Sequence, residues 1–298
     1  MGKTIYYLRM MRPANIVTSV ADVLAGIAIA GVFTQPGALS MQGYLPQILL
    51  LCFSTACLYG GGIVYNDVFD ADLDKIERPE RAIPSGIITV KQASTLGTVL
   101  LLAGIVSAFF CNSFSEIIAA AIAFFALLYN KSSKHHPFLG PLNMGFCRGL
   151  NLMLGISIIP SLLSTWYPLA IVPIIYIFCI TMISRGEVHG GSKRNLYIGA
   201  GLYAIVAGTI IYFGSRNHTL LLTALFVIPF LYMIFTPLLK AIKEPIGRNI
   251  GGAVKAGVIS LILMDAAWAA TFSTISVALV IACLLPISMW LSRIFAVT

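Results

Sequence analysis

The strongest constraint on the fold of this chain is a succession of apolar runs, each about 20 residues long, separated by short polar breaks. A run of that length crosses a bilayer as one helix, which satisfies its backbone polar groups internally. Charged residues make up 10% of the chain, against about 25% in a soluble domain. The runs predict an all-α membrane protein with ten helices, near residues 14–33, 45–65, 90–110, 114–130, 143–163, 167–184, 196–214, 219–238, 252–271 and 274–293.

The first run, from about Ala14 to Phe33, is too long for a signal-peptide core and ends without a small-residue cleavage pattern. It is therefore predicted to be the first span. The six cysteines lie almost entirely within apolar stretches and lack metal-ligand spacing, so we interpret them as small hydrophobic residues.

Basic residues predict the orientation of the chain, because Lys and Arg in short loops stay in the cytoplasm. Five loops on one side carry almost all of them, whereas the opposite side has Arg216. Both termini and the loop from about Asn66 to Thr89 are thus predicted to be cytoplasmic. The net charge of +8 follows from this topology, and the scatter of the basic residues argues against nucleic-acid binding.

Six of the eleven acidic residues lie between Asn66 and Glu80, directly after an apolar helix. Asn66, Asp70 and Asp74 are four residues apart, so a continuing helix would stack them on one face. Oxygen ligands favour Mg²⁺, which completes its shell with water and substrate phosphates. The alternative is a solvated, charged loop with no ligand.

Arg78 and Arg81 follow the acidic residues and precede Pro84-Ser85-Gly86. The guanidinium group matches phosphate oxygens in a two-point contact. Together, the column of acidic residues and the two arginines predict a binding site for a metal ion and a diphosphate.

The stretch from Asn66 to Gly86 resembles the first aspartate-rich motif of the UbiA superfamily of intramembrane prenyltransferases. Arg12-Pro13 before the first helix and Tyr129 with Lys131 or Lys134 after the fourth resemble further features of that family. The family spacing Tyr-x-x-x-Lys is not reproduced, so either lysine remains a candidate for binding the substrate.

This resemblance implies one membrane domain over residues 1–298, with nine core helices around a central cavity; the run at 274–293 would be a tenth. It implies Mg²⁺ held by Asn66, Asp70 and Asp74, with Asp70 and Asp74 serving catalysis. The substrates would be a polyprenyl diphosphate and an aromatic or lipid-like acceptor in the membrane.

The second aspartate-rich motif of the family is altered here. After the predicted helix at 167–184, the chain reads Ser184-Arg-Gly-Glu-Val-His-Gly-Gly-Ser-Lys193, which contains no aspartate. Glu187 is the remaining candidate metal ligand, and His189 is a candidate proton acceptor. This loop most resembles the EboC branch of the superfamily, which implies a bacterial inner-membrane protein. Its altered motif leaves open an alternative: a prenyl-lipid binding or transport-accessory protein without catalysis.

Polar residues inside predicted spans are costly and are candidates for function. Arg148 and Asn151 share one face of the predicted helix at 143–163, near its cytoplasmic end. There they would either extend the phosphate cradle or form hydrogen bonds to neighbouring helices. We interpret Asp22 and Asp265 as buried structural partners.

Overall fold

The computed structural model describes residues 3–34, 41–187 and 190–295, with backbone alone for Met41 and Gln42. These residues form fourteen α-helices joined by short turns. They are α1 Lys3–Met11, α2 Pro13–Ile29, α3 Met41–Phe69, α4 Ala71–Glu77, α5 Val90–Phe109, α6 Ser113–Leu128, α7 Leu139–Ile156, α8 Leu163–Trp166, α9 Ile171–Ser184, α10 Lys193–Arg216, α11 Leu220–Lys243, α12 Gly247–Phe272, α13 Ile275–Ala282 and α14 Leu284–Ile294. The all-α prediction is confirmed.

Eight helical segments of the described residues are long and apolar enough to cross a membrane, and α1 with α2 forms a ninth if that pair, bent by 43°, is one span. The predicted run at 143–163 corresponds to α7, which is not among them. Polar residues, including Asn143, Arg148 and Asn151, lower its hydropathy. It nevertheless packs against α2, α6 and α9, so each of the ten predicted runs is a helix of the bundle.

The centre of the bundle contains α2, α7 and α12. Residues 260–271 of α12 are all buried, and Trp268 is fully enclosed. Where α2 crosses α7, Gly26 faces Gly155, and a Cβ on Gly26 would overlap the Leu152 carbonyl. Because no side chain separates these backbones, the two helices approach closely, and polar groups on both reach one another.

The end of α3 positions the acidic motif. This helix continues about one turn beyond the predicted boundary at residue 65 and ends at Phe69. The short helix α4 follows immediately, and the segment 78–88 folds back over it, with Ala82, Ile83 and Ile88 buried against Met10 and Val64. The motif is therefore held against the bundle.

Candidate active site

The acidic residues of the first motif form a column at the end of α3. The backbone N–H of Asp70 donates to the Asn66 carbonyl at 3.0 Å, and that of Asp74 donates to the Asp70 carbonyl at 2.8 Å. The i to i+4 bonding pattern thus continues across the junction between α3 and α4. Asn66, Asp70 and Asp74 remain one helical turn apart, as their spacing predicts.

Basic side chains from two other parts of the chain meet this column. Lys134 pairs with Asp70, and Nη1 of Arg81 donates to Oδ2 of Asp74 at 2.7 Å. The carboxylate of Asp74 is buried, at 4% exposure. Two of the predicted phosphate-binding side chains, Lys134 and Arg81, therefore form ion pairs with two of the predicted metal ligands, Asp70 and Asp74.

Asp67 is a further member of the site, and our sequence interpretation gave it no role. Its Oδ1 lies 3.4 Å from Nη2 of Arg12 and 3.5 Å from Nη1 of Arg81. Arg12 adopts a left-handed backbone conformation, with φ of 48°, between α1 and α2. The sequence signal that could have identified Asp67 is its position as a carboxylate next to Asn66, near the end of an apolar helix.

A π-helical turn at Tyr129–Ser133 distinguishes the two candidate lysines. The backbone N–H of Lys134 donates to the Tyr129 carbonyl at 3.0 Å, an i to i+5 bond. Such a turn brings residues five apart to one side, as an α-helix does for residues four apart. Lys134 contacts Asp70, whereas Lys131 is exposed.

A cavity of about 360 Å³ extends inward from this cluster. Its outer end contains Arg12, Asn66, Tyr129 and Asn130, and Nδ2 of Asn66 donates to Oδ1 of Asn130 at 3.1 Å. Most of the remaining wall is apolar, formed by side chains of α3, α6, α7, α9 and α12: Leu58, Ile63, Ile122, Met144, Ile177, Ile180, Val254, Val258 and Leu261. The cavity can hold an apolar chain beneath a polar entrance.

Arg148 and Asn151 line the cavity and also bond to helix α2. Nε of Arg148 lies 2.5 Å from Oδ2 of Asp22, and its Nη2 donates to the Thr18 carbonyl at 2.8 Å. Nδ2 of Asn151 donates to Asp22 at 2.9 Å and to the Ser19 carbonyl at 2.8 Å. The structure thus shows both bonding between helices; their contact with a substrate stays a prediction.

The two predicted structural acids, Asp22 and Asp265, meet behind this wall. Both are buried, at 1% exposure each, and their carboxyl groups lie close enough to interact with each other and with Arg148. The two acids therefore share one buried cation, Arg148.

The altered second motif faces the first motif. Glu187 is exposed, yet partial desolvation raises the pKa of its carboxyl group, and the charge of Arg78 opposes that rise. Arg185 donates to the carbonyls of Lys134 and His136 at 3.2 and 2.6 Å, which holds the turn carrying Lys134. His189 lies outside the described residues.

The side-chain oxygen atoms of the column suit Mg²⁺ as ligands. Asp67 lies near enough to Asp70 and Asp74 for their charges to repel, and a cation would relieve that repulsion. Within the described ranges, no three side chains of His, Cys, Asp or Glu are gathered tightly enough to hold a metal ion alone. This fits an ion that takes one or two carboxylates and the remaining oxygens from water and phosphate.

Sequence comparison finds a family profile and several relatives that share one name. The profile of the UbiA prenyltransferase family matches residues 23–242. A digeranylgeranylglyceryl phosphate synthase of Saccharolobus solfataricus is 29% identical over 64% of this chain and 66% of its own length. The corresponding protein of Methanothrix thermoacetophila is 30% identical over 69% and 78%. For several other such relatives, the matched part is about half to two thirds of their length.

Solved structures of the same family share the fold. A structure of a digeranylgeranylglyceryl phosphate synthase superposes with a TM-score of 0.64 at 23% identity, over 90% of this chain and 98% of that one. A UbiA homologue from Archaeoglobus fulgidus, solved with GPP and Mg²⁺, gives a TM-score of 0.61 at 16% identity, over 86% and 99%. Neither comparison distinguishes a branch, so the likeness to the EboC branch stays a prediction. With most of its length matched by the family profile, the chain belongs to the UbiA prenyltransferase family.

Proposed function

We propose that this integral membrane protein transfers a prenyl group from a polyprenyl diphosphate to an acceptor in the membrane, in a Mg²⁺-dependent reaction. One observation carries the proposal: the acidic side chains of the first motif, and the basic side chains paired with them, continue the column from Asn66, which lines the polar end of an apolar cavity. The acids suit a metal ion, the bases suit a diphosphate, and the cavity suits the prenyl chain.

In this reaction, the bond between the first prenyl carbon and the diphosphate oxygen breaks, and its electron pair leaves with the diphosphate. The acceptor supplies the electron pair of the new bond and loses a proton. Asn66, Asp70 and Asp74 would hold Mg²⁺, which when bound supplies positive charge to the leaving diphosphate. The other parts of the reaction depend on the side chains of the protein.

Arg81 and Lys134 would donate hydrogen bonds to the diphosphate once it and the metal take over the charge of Asp74 and Asp70. Arg78, exposed beside Glu187, would bind from the side of the second motif. The apolar wall excludes water from the allylic carbon, so that the acceptor is the nucleophile that reaches it. Lys131, which is exposed, is the weaker of the two lysine candidates.

The loops that carry Asp70, Lys134 and Glu187 would face the cytoplasm, where the basic residues concentrate. An inner-membrane location in a bacterium remains part of this proposal. The acceptor is aromatic or lipid-like, as the apolar surroundings of the cavity favour.

A direct test incubates the purified protein in detergent with Mg²⁺ and isoprenyl diphosphates of several lengths, and measures diphosphate release and prenylated product. Asp70→Ala and Asp74→Ala should abolish Mg²⁺-dependent binding of the diphosphate, because each removes a carboxylate of the column. Asp72→Asn is the matched control, since Asp72 is exposed and pairs with Lys75 at 2.8 Å, away from the column. Parent-like binding in both column variants would refute the proposal.

A second candidate function is binding or transport of a prenyl lipid without catalysis. The observation that favours it is the second motif, where Glu187 is exposed and no aspartate accompanies it. This candidate predicts diphosphate binding that depends on Asp70 and Asp74, with no diphosphate release. Release by the parent protein would exclude it.

A further inference from the structure

The side-chain amide of Asn130 spans one turn of α3. Asn130 belongs to the π-helical turn at Tyr129–Ser133 and is buried, at 9% exposure. Its Nδ2 donates to the carbonyl oxygen of Gly62 at 2.9 Å, and its Oδ1 accepts from Nδ2 of Asn66 at 3.1 Å. Gly62 and Asn66 are four residues apart, so they are neighbours on one face of α3. Both ends of the Asn130 amide are therefore bonded to that helix.

The carbonyl of Gly62 determines the direction of both amides. An asparagine side chain has one donating and one accepting end of nearly the same shape. A backbone carbonyl only accepts, so the end of Asn130 that faces Gly62 is its nitrogen. Oδ1 of Asn130 then faces Asn66, and the end of Asn66 that meets it is also its nitrogen. The two amides are thus oriented in series from a backbone atom that cannot exchange roles.

A close approach of α3 to α6 brings the π turn within reach of this carbonyl. A Cβ added to Gly62 would lie 3.3 Å from Cβ of Ala126, so little space separates the two helices there. The π turn follows α6 directly. It also leads to Lys134, which pairs with Asp70. One turn therefore supplies partners to two consecutive members of the column.

This orientation decides which atom Asn66 presents to the column. Because its nitrogen is bonded to Asn130, the end that remains for a ligand is Oδ1. Within the ranges that the structure describes, no hydrogen bond reaches that oxygen. Mg²⁺ takes oxygen ligands, whereas a reversed amide would direct two N–H groups at the cation and repel it.

We propose that Asn130 is a positioning residue for the magnesium ligand Asn66, whose amide it holds with the oxygen toward the column. This inference rests on the proposed function, because it explains how one ligand of the proposed metal ion is oriented. Asn130 acts through Asn66 in this role. Removing a partner that orients a metal ligand typically costs 10–100-fold in metal affinity.

The test measures how much Mg²⁺ the protein needs to bind a diphosphate. Binding of geranyl diphosphate to the purified protein in detergent is followed by calorimetry over a range of Mg²⁺ concentrations. Asn130→Leu keeps a branched side chain but bonds neither partner, and it should raise the Mg²⁺ concentration for half-maximal binding about tenfold. Saturating Mg²⁺ should restore binding. Asn130→Ala should act in the same direction, and it provides the measurement if the leucine variant does not fold.

A second background separates positioning from general support of the fold. Asn66→Asp has an oxygen at both ends and needs no orientation, so adding Asn130→Leu to it should leave the required Mg²⁺ concentration nearly unchanged. Asn112→Leu is the matched control. Nδ2 of Asn112, at the other end of α6, also donates to a carbonyl of another segment, that of Ser157 at 2.9 Å. This variant should require as much Mg²⁺ as the parent.

The same Mg²⁺ requirement in Asn130→Leu and the parent would overturn the inference. A tenfold rise that persists in the Asn66→Asp background would overturn it too, and would assign the effect to the turn that carries Lys134. Binding by the parent that does not depend on Mg²⁺ would also contradict it. None of these readouts needs turnover, so absence of diphosphate release would contradict the proposed catalysis alone.

Discussion

The buried group formed by Asp22, Asp265 and Arg148 predicts a strongly non-additive pair of substitutions. The Arg148 side chain is 6% exposed and that of Asp22 is 1% exposed, so the guanidinium group needs a carboxylate beside it. Asp22→Asn alone leaves Asp265 able to ionise and serve as that partner. Asp265→Asn alone leaves the direct pair of Arg148 and Asp22 intact.

Each single substitution should therefore lower the free energy of unfolding by about 1 kcal/mol, the scale of one net hydrogen bond. The double substitution leaves a buried cation without any carboxylate, which costs about 3–5 kcal/mol. The double loss should exceed the sum of the single losses by about 1–3 kcal/mol, within the range found for residues in contact. Adding Arg148→Met should recover most of the loss, because no buried charge then remains.

The assay is denaturant unfolding in detergent micelles, followed through the three tryptophans. Asp72→Asn is the matched control, because Asp72 is exposed and should leave stability within about 0.5 kcal/mol of the parent. Losses that add to within about 0.5 kcal/mol would refute the reasoning and show that Arg148 does not depend on either acid.

Three further predictions follow from other parts of the structure. Glu187→Gln should lower turnover about 100-fold, the scale of losing one electrostatic stabiliser, with a much smaller change in diphosphate affinity; turnover equal to the parent would exclude a role for this carboxylate. The pKa of Glu187 is raised above its ordinary value of 4.5, so on acidification the rate of the parent should begin to fall at a pH above that value. The pH–rate profile of the Gln variant should lack this fall. Gly26→Ala should destabilise the fold by about 1–3 kcal/mol, measured by the same unfolding assay, since its Cβ overlaps the Leu152 carbonyl; unchanged stability would show that α2 and α7 separate freely. Cysteines introduced at Asp72 and at Arg216 should be labelled from opposite sides of the membrane, and labelling of both from outside would contradict the orientation.

The sequence indicates where a helix begins when the capping residues lie within a few positions of each other. The capping box of Thr89 and Gln92 is present in both directions at the start of α5. At α6, Ser113 and Glu116 fit the sequence pattern of a capping box as well, but the cap is Asn112, whose side chain accepts from the backbone N–H of Ser115. The two patterns are offset by one residue, so sequence alone does not separate them.

The site was predictable as far as it follows helical spacing from α3 into α4. The column of Asn66, Asp70 and Asp74 follows from helical spacing, whereas its partners come from distant parts of the chain. Which cation meets which acid depends on how α3 packs against the turn before α7 and against the start of α2. For the same reason, the sequence pattern of Arg148 left open its ion pair with Asp22, which depends on the close crossing of α2 and α7.

The π turn at Tyr129–Ser133 has a consequence for how this chain is compared with its relatives. It acts as a one-residue insertion that the helix absorbs without a loop. A gapless alignment to the pattern Tyr-x-x-x-Lys places Ser133 in the lysine column and suggests that the cation has been lost. In space, Lys134 reaches Asp70, so an alignment with one gap inside the turn would place in that column the lysine that contacts the acidic residues.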